Sequence, residues 1–184
     1  MSSPETIVLL SGPVAVGKTT LRQSLIDSHG FDYVRSSVYL KRVARQRKLG
    51  DDRAVLQNLG DDLDEATDFL WLLDDVAKPI ISSSSGCQKW LVDAVRKERQ
   101  IQHFRAAYGS AVLHVHLVAS EDTLVRRYAG RHEATSYETA IQHENEVASR
   151  ALISVANLVI DNTLMSAADA ASRVIVAASK HGRA

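Results

Sequence analysis

The sequence has 184 residues, and its 22 basic and 22 acidic side chains give a formal net charge of zero at neutral pH. Hydrophobic residues make up 45% and charged residues 24%, a balance that is typical of a folded domain and excludes a disordered chain. The length predicts one domain over residues 1–184, and the neutral charge excludes a global field that would attract nucleic acid or an anionic membrane.

The amino terminus carries no basic stretch followed by a cleavable apolar segment. No apolar run approaches the ~20 residues that span a bilayer. We therefore expect a cytoplasmic protein without a membrane partner. The lone Cys87 can form no intramolecular disulfide, and we expect a small buried or partly buried side chain there.

An apolar, β-branched run over residues 6–10 predicts the first strand. It leads into the pattern G-x-x-x-x-G-K-T over residues 12–19, and an amphipathic helix is predicted from Thr20 to His29. Strand, glycine-rich loop and helix in this order predict a loop that binds the phosphates of ATP. The residues expected to contact the nucleotide there are Gly12, Pro13, Val14, Ala15, Val16, Gly17, Lys18, Thr19 and Thr20.

Each residue type in this loop has a chemical reason. Gly12 and Gly17 let the backbone turn tightly and bring its N–H groups close to phosphate oxygens, at the positive end of the helix dipole. Lys18 is the predicted catalytic cation for the β- and γ-phosphates, and the Thr19 hydroxyl is a predicted Mg²⁺ ligand. A chance glycine-rich turn is the alternative, and the complete pattern in this context argues against it. ATP and Mg²⁺ are therefore the predicted cofactors.

A second short strand is predicted at residues 31–34, after the helix-stopping Gly30. Its carboxyl end delivers Arg35 and Ser36 to the sheet edge where open α/β sheets bind ligands. Both are therefore predicted to contact an acceptor substrate. The following segment carries five cations and no acid, and within it Arg42 is predicted to clamp acceptor phosphate; a solvated helix face is the alternative.

From Asp51 to Asp75 the charge reverses and apolar residues recur at helical intervals. The pattern predicts two amphipathic helices interrupted near Gly60, the second of them ended by Lys78-Pro79. We expect these helices to pack over the sheet. The whole region over about residues 35–80 is the predicted acceptor-binding part of the domain.

A buried strand is predicted to resume at Lys89, and Asp93 follows where its apolar run stops. An acid on a strand next to the phosphate loop commonly holds Mg²⁺, so Asp93 is predicted as a catalytic residue and metal ligand. Capping of the next helix is its alternative role. Arg96 comes at the same edge, where a guanidinium can grip acceptor phosphate through two hydrogen bonds.

The most apolar strand is predicted over residues 111–118. Its His114 and His116 point to the same side, because alternate residues of a strand share a face. We expect both to be buried and hydrogen-bonded. A metal pair is the alternative, and no third ligand is evident.

The next helix places Arg127 and Arg131 four residues apart, before a polar stretch. We predict a short lid over about residues 127–140, in which both arginines act as catalytic residues by closing over the transferred phosphoryl group. An exposed helix end carrying cations is the alternative. One helix from Tyr137 to about Ile153, a strand and a closing helix complete the chain.

The order of elements resembles the P-loop kinases of small molecules, and within them the nucleoside monophosphate, dephospho-coenzyme A and phage-type deoxynucleoside monophosphate kinases. The strongest likeness is Gly12–Thr19, and residues 56–61, 91–96 and 158–162 are similar to shorter motifs of those families. The resemblance covers nearly the whole chain. It implies a three-layer α/β P-loop fold whose five parallel strands are ordered 2-3-1-4-5, with helices on both faces. It also implies that Asn162 abuts the ATP base.

The acceptor follows from one chemical argument. A hydroxyl nucleophile benefits from a general base, whereas a phosphate acceptor is already anionic. No carboxylate stands at Arg35–Ser37, where hydroxyl-directed relatives normally carry one. The sequence therefore favours transfer of the γ-phosphoryl group to a (deoxy)nucleoside monophosphate, by a monomer or a homodimer. The alternatives are a kinase for a hydroxyl of dephospho-coenzyme A, a nucleoside or nucleic acid, and a non-catalytic ATP-binding regulatory module.

Overall fold

The computed structural model describes residues 4–131 and 135–182. Five strands form one sheet in the order β2-β3-β1-β4-β5, and every neighbouring pair is parallel. The predicted fold class and strand order are therefore confirmed. The strands are β1 (Thr6–Ser11), β2 (Asp32–Tyr33), β3 (Lys89–Val92), β4 (Val112–Val118) and β5 (Leu158–Asp161).

Helices surround this sheet. They are α1 (Lys18–His29), α2 (Ser36–Gln46), α3 (Arg53–Ala66), α4 (Lys78–Ser83), α5 (Glu98–Tyr108), α6 (Glu121–Ala129), α7 (Tyr137–Ile141), α8 (Glu144–Ala151) and α9 (Ala167–His181). Shorter pieces are a π-helical segment, Leu72–Ala77, and two 3₁₀ turns, Gly109–Ala111 and Leu152–Val155. In the described ranges, no helix combines the length and apolar character that crossing a membrane requires.

The central strand β1 is buried along its whole length, with apolar clusters on both of its sides. Ile7 and Leu9 pack in one cluster, and Val8 and Leu10 pack in the other. This division follows from the alternation of side chains along a strand. Because both clusters press on β1, the loop that leaves its carboxyl end starts from a rigid support.

The predicted interruption near Gly60 is wrong, because α3 runs through this glycine without a break. A glycine inside a helix costs only about 1 kcal/mol, and the buried Leu59 and Leu63 on either side repay that cost by packing in the core. The chain turns instead at Asp68 and Phe69, whose φ angles are 49° and 64°.

The prediction that Lys78-Pro79 ends a helix is also wrong, since the π-helical segment continues directly into α4. The Lys78 N–H donates to the carbonyl of Leu73, five residues earlier. Pro79 then lies in the first turn of α4, inside a helical run that it does not end.

The single helix predicted from Tyr137 to about Ile153 is two helices, α7 and α8. The break comes at His143, whose ring nitrogen Nδ1 accepts the N–H of Asn145 at 3.2 Å and so caps α8. This cap sets the start of α8 and separates it from α7.

Candidate functional site

The phosphate loop lies between β1 and α1, and its two glycines are required by geometry. Gly12 has a φ of 129°, and a Cβ there would lie 2.4 Å from the carbonyl oxygen of Leu117 on β4. Gly17 has a φ of 105°, and a Cβ there would lie 2.5 Å from the Asn162 side-chain nitrogen. Helix α1 begins at Lys18, two residues earlier than predicted, so its amino terminus opens directly onto the loop.

Lys18 crosses the mouth of the loop and donates to the carbonyl oxygens of Gly12 and Pro13. Burial lowers its pKa to about 8; the charge of Glu146 opposes that change, and Arg96, Asp93 and Arg131 exert smaller effects. All four charged groups therefore lie near enough to Lys18 to affect its ionisation. The structure thus brings Asp93, Arg96 and Arg131, which the sequence predicted from two separate stretches of the chain, near the lysine of the phosphate loop. It adds Glu146, which the sequence did not predict.

The residues of the first turn of α1 fit a Mg²⁺ ion. Thr19 and Thr20 are exposed there, and among the described residues the Thr19 hydroxyl makes no hydrogen bond that would compete with a metal. Asp93 is different, because one of its oxygens accepts from Arg22 and the other from the Tyr33 hydroxyl, each at 2.5 Å. Asp93 is therefore suited to contact the ion through water.

Sequence reasoning missed both partners of Asp93. The Arg22 guanidinium lies 4.4 Å from the centre of the Tyr33 ring, so the three side chains form one compact unit. The only sequence signal for Arg22 is its position one helical turn after Lys18, which puts both residues on the same side of α1. Nothing local to Tyr33 indicates the contact.

Three of the predicted acceptor residues come to one edge of the sheet. Strands β2 and β3 pair in parallel, so Arg35 and Ser36 after β2 lie beside the loop that carries Arg96 after β3. Arg35 and Arg96 are exposed, whereas Ser36 is buried. Arg42 lies further along α2, exposed, with its guanidinium 5.1 Å from the centre of the Tyr39 ring.

The two predicted lid arginines have different surroundings. Arg127 donates to the carbonyl oxygens of Val16 at 3.3 Å and of Asn162 at 3.0 Å. The Asn162 side chain also donates to Val16, at 2.7 Å, so both residues tie the phosphate loop to the turn after β5. Arg131 is exposed in the turn that follows α6. The part of the predicted lid at residues 132–134 lies outside the described residues.

Helix α8 contributes contacts that sequence reasoning missed. The Glu146 carboxylate accepts the N–H of Val14 at 2.8 Å, and the Ser149 hydroxyl donates to the carbonyl of Gly12 at 3.2 Å. Arg150 holds the same Glu146 oxygen through its Nε at 3.2 Å. The i, i+4 spacing of Glu146 and Arg150 predicts an ion pair, but no sequence signal brings that pair to a loop 132 residues earlier.

His114 and His116 are buried and hydrogen-bonded, as predicted. Their ring nitrogens lie 2.6 and 2.8 Å from the hydroxyl of Ser11, the last residue of β1. Burial lowers the pKa of each imidazole to about 4, so both are neutral near pH 7. These histidines support the end of β1 from beneath the phosphate loop.

Comparisons with known proteins agree with this architecture. A family model described as an AAA domain matches residues 8–152, whereas no curated protein matches the chain. Among solved structures, TT1252 from Thermus thermophilus is similar with a TM-score of 0.65 and 17% identity, over 96% of this chain and 98% of that one.

Two solved kinases are also similar. A gluconokinase from Sinorhizobium meliloti 1021 has a TM-score of 0.59 and 10% identity, over 99% of this chain and 96% of its own. A sugar kinase from Janibacter sp. HTCC2649 has a TM-score of 0.55 and 17% identity, over 94% of each chain. At such low identities the likeness shows a shared fold.

Proposed function

The chain belongs to the AAA domain family, and we propose that it is an ATP-dependent phosphotransferase for a small anionic acceptor. P-loop kinases with this fold use ATP with Mg²⁺. The observation that carries the proposal is the pairing of a complete phosphate loop with two arginines, Arg35 and Arg96, at the adjoining sheet edge. Within the described residues, neither guanidinium is engaged by an acidic side chain, so both are free to bind an anion.

The residues divide into three roles. The loop amides and Lys18 would hold the phosphates of ATP, and Thr19 would hold Mg²⁺ with Asp93 in its water shell. When bound at these residues, the metal would supply positive charge that offsets the negative charge developing during transfer. Arg35 and Arg96, together with Ser36 and the more distant Arg42, would orient the acceptor. Arg131 would approach from the lid, and Arg127 would keep the loop and the Asn162 turn in place.

A (deoxy)nucleoside monophosphate is the acceptor that we propose first. Its phosphate carries the negative charge that Arg35 and Arg96 would neutralise, and it needs no general base. Asp93, the carboxylate that follows β3, is already bound by Arg22 and Tyr33 and is poorly placed to accept a further proton.

A hydroxyl-bearing anion is the second candidate, favoured by Glu146. Both hydrogen bonds described for this carboxylate end on its Oε1 atom, which leaves Oε2 to accept a proton from a hydroxyl beside Lys18. The sequence argued against a hydroxyl acceptor because no acid that could act as general base follows β2. In the structure, α8 supplies such an acid, Glu146. The similar fold of a gluconokinase makes a sugar acid a sensible test compound.

The deciding experiment is a coupled ADP-release assay with ATP and Mg²⁺. Its panel contains all ribo- and deoxyribonucleoside monophosphates, dephospho-coenzyme A, thymidine and gluconate, and reactions without acceptor give the hydrolysis background. We expect turnover with at least one monophosphate and none with the Lys18→Ala protein, which controls for contaminating kinases. Turnover with only a hydroxyl acceptor would refute the monophosphate proposal and support the second candidate. Failure of the protein to bind ATP would refute both.

A further inference from the structure

The first turn of α8 touches three parts of the site through consecutive residues. Asn145 donates to both carboxylate oxygens of Asp61 on α3, at 2.8 and 3.0 Å. Glu144 pairs at 3.3 Å with Lys97, which precedes α5. Glu146 accepts the N–H of Val14 in the phosphate loop. The contacts of the buried Asn145 and of Glu146 fix this turn of α8, whereas the exposed ion pair of Glu144 contributes little to it.

Glu146 is also held from behind by a network of side chains. Arg150 donates from Nε to Glu146, from Nη2 to the Tyr137 hydroxyl at 2.8 Å, and from Nη1 to Glu121 at 3.3 Å. The Tyr137 hydroxyl in turn donates to Glu121 at 2.5 Å. The Glu146 side chain is only 13% exposed. The packing of these side chains therefore holds the Glu146 carboxylate in contact with the phosphate loop.

The position of Val14 identifies which phosphate the carboxylate meets. The Lys18 ammonium contacts the carbonyls of Gly12 and Pro13, the two residues directly before Val14. The lysine of such a loop reaches the β- and γ-phosphates, so the outermost phosphate is expected to arrive beside Val14. The Val14 N–H has a single hydrogen, and Glu146 accepts it.

A carboxylate on this N–H presents the same chemistry as a phosphate oxygen, namely an anion beside Lys18. Two anions cannot both take the N–H, and like charges a few ångströms apart repel strongly where water is largely excluded. A terminal phosphate can therefore accept the Val14 N–H only after the Glu146 carboxylate has released it. A diphosphate, which is one phosphate shorter, leaves this contact intact.

We propose that Glu146 is a specificity-determining residue that competes with the γ-phosphate for the Val14 N–H, and so reduces the preference of the loop for ATP over ADP. This inference rests on the proposed function only in that ATP is the ligand of the loop. An internal competitor of this kind selectively weakens triphosphate binding.

The test is Glu146→Gln, which keeps the shape and an acceptor oxygen and removes the charge. Titration calorimetry with Mg²⁺ would measure the Kd of ADP and of a nonhydrolysable ATP analogue. We expect the triphosphate Kd to fall about tenfold, because a unit charge near a phosphate is removed, and the ADP Kd to change by less than about threefold. Glu144→Gln is the matched control, since this neighbour is 89% exposed and pairs with Lys97; it should alter neither Kd.

Three results with Glu146→Gln would overturn the inference. An unchanged triphosphate Kd would show that no competition exists. Equal changes for both nucleotides would show a structural role. A loss of kcat with both Kd values unchanged would make Glu146 a general base and would favour the hydroxyl acceptor.

A measurement on the unaltered protein covers the case in which Glu146→Gln does not fold. The backbone N–H resonance of Val14 should shift when the triphosphate analogue replaces ADP, and an unmoved resonance would overturn the inference. If neither nucleotide binds, the proposed function itself fails. If both bind without the expected difference, only the role of Glu146 fails.

Discussion

The proposed nucleotide side and the proposed acceptor side of this site are built in different ways. The nucleotide side is the continuous run Gly12–Thr19, and its binding groups are mainly backbone N–H groups set by two glycines and the start of α1. The acceptor side consists of side chains from separate elements, with Arg35 after β2 and Arg96 after β3. A backbone site stays the same when neighbouring side chains change, whereas a side-chain site is altered by each substitution. We therefore expect phosphate binding to tolerate changes of neighbouring side chains and the choice of acceptor to respond to them.

The largest effect should come from Lys18→Ala, which removes the charge on which the nucleotide side depends. We expect kcat to fall by about a thousandfold or more, because one group placed to stabilise developing charge commonly contributes that much. The thermal melting curve should be preserved, since Lys18 is a partly buried cation whose removal leaves no unpaired acid. The coupled ADP-release assay measures the loss, with Lys78→Ala as the control at an exposed lysine paired to Asp74. Turnover at the unaltered rate would remove Lys18 from the mechanism.

The second prediction tests whether the backbone conformation at Gly12 determines the phosphate loop. Gly12→Ala would place a Cβ against the Leu117 carbonyl in a left-handed conformation, and we expect a loss of about 3 kcal/mol in the free energy of unfolding. Gly86 has a similar φ of 115° but open space around it, so Gly86→Ala should cost only about 1 kcal/mol. Urea denaturation compares the two. Equal losses would mean that the close approach at Gly12 does not matter.

The third effect concerns the support beneath the loop. His114 and His116 have pKa values lowered to about 4 by burial, with Arg105 acting on His114, and His114 and Lys18 acting on His116. In the unfolded chain both histidines bind a proton below about pH 6.5, whereas in the folded protein they stay neutral until about pH 4. The free energy of unfolding should therefore fall as the pH drops from 7 to 5.

We expect this fall to be about 2 kcal/mol for each of the two histidines. His116→Gln should reduce it, because glutamine can still bond to Ser11 but does not titrate in this range. His29→Gln, at the end of α1, is the matched control and should leave the pH dependence in place. Urea midpoints at both pH values measure the effect. Equal midpoints in the unaltered protein would contradict the burial of neutral imidazoles.

The smallest effect should be confined to the acceptor side. Arg96→Ala should raise the acceptor KM about tenfold and leave the ATP KM nearly unchanged. A tenfold increase corresponds to the loss of about one hydrogen bond to a charged group. Arg99→Ala removes a nearby exposed arginine that pairs with Asp68, and should change neither constant. Equal increases in both KM values for Arg96→Ala would mean that the two sides of the site are not separate.

Particular residues show how far sequence reasoning reached. The alternation in β4 was enough to predict that His114 and His116 share a buried side. It gave no indication that both bond to Ser11, because the pairing of β1 with β4 is a long-range contact. Gly60 was misread as a helix break because glycine is only a weak helix breaker, and burial of the leucines beside it decided the outcome.

The sequence by itself determined the phosphate loop and the burial of the two histidines, which depend on local spacing and on the alternation of apolar residues along a short stretch of chain. The strand order followed from the resemblance to P-loop kinases. Only the tertiary structure placed Arg22 and Tyr33 on Asp93 and Glu146 on Val14. Such contacts join residues far apart in the chain, and their formation depends on how helices pack around the sheet, which no local pattern specifies.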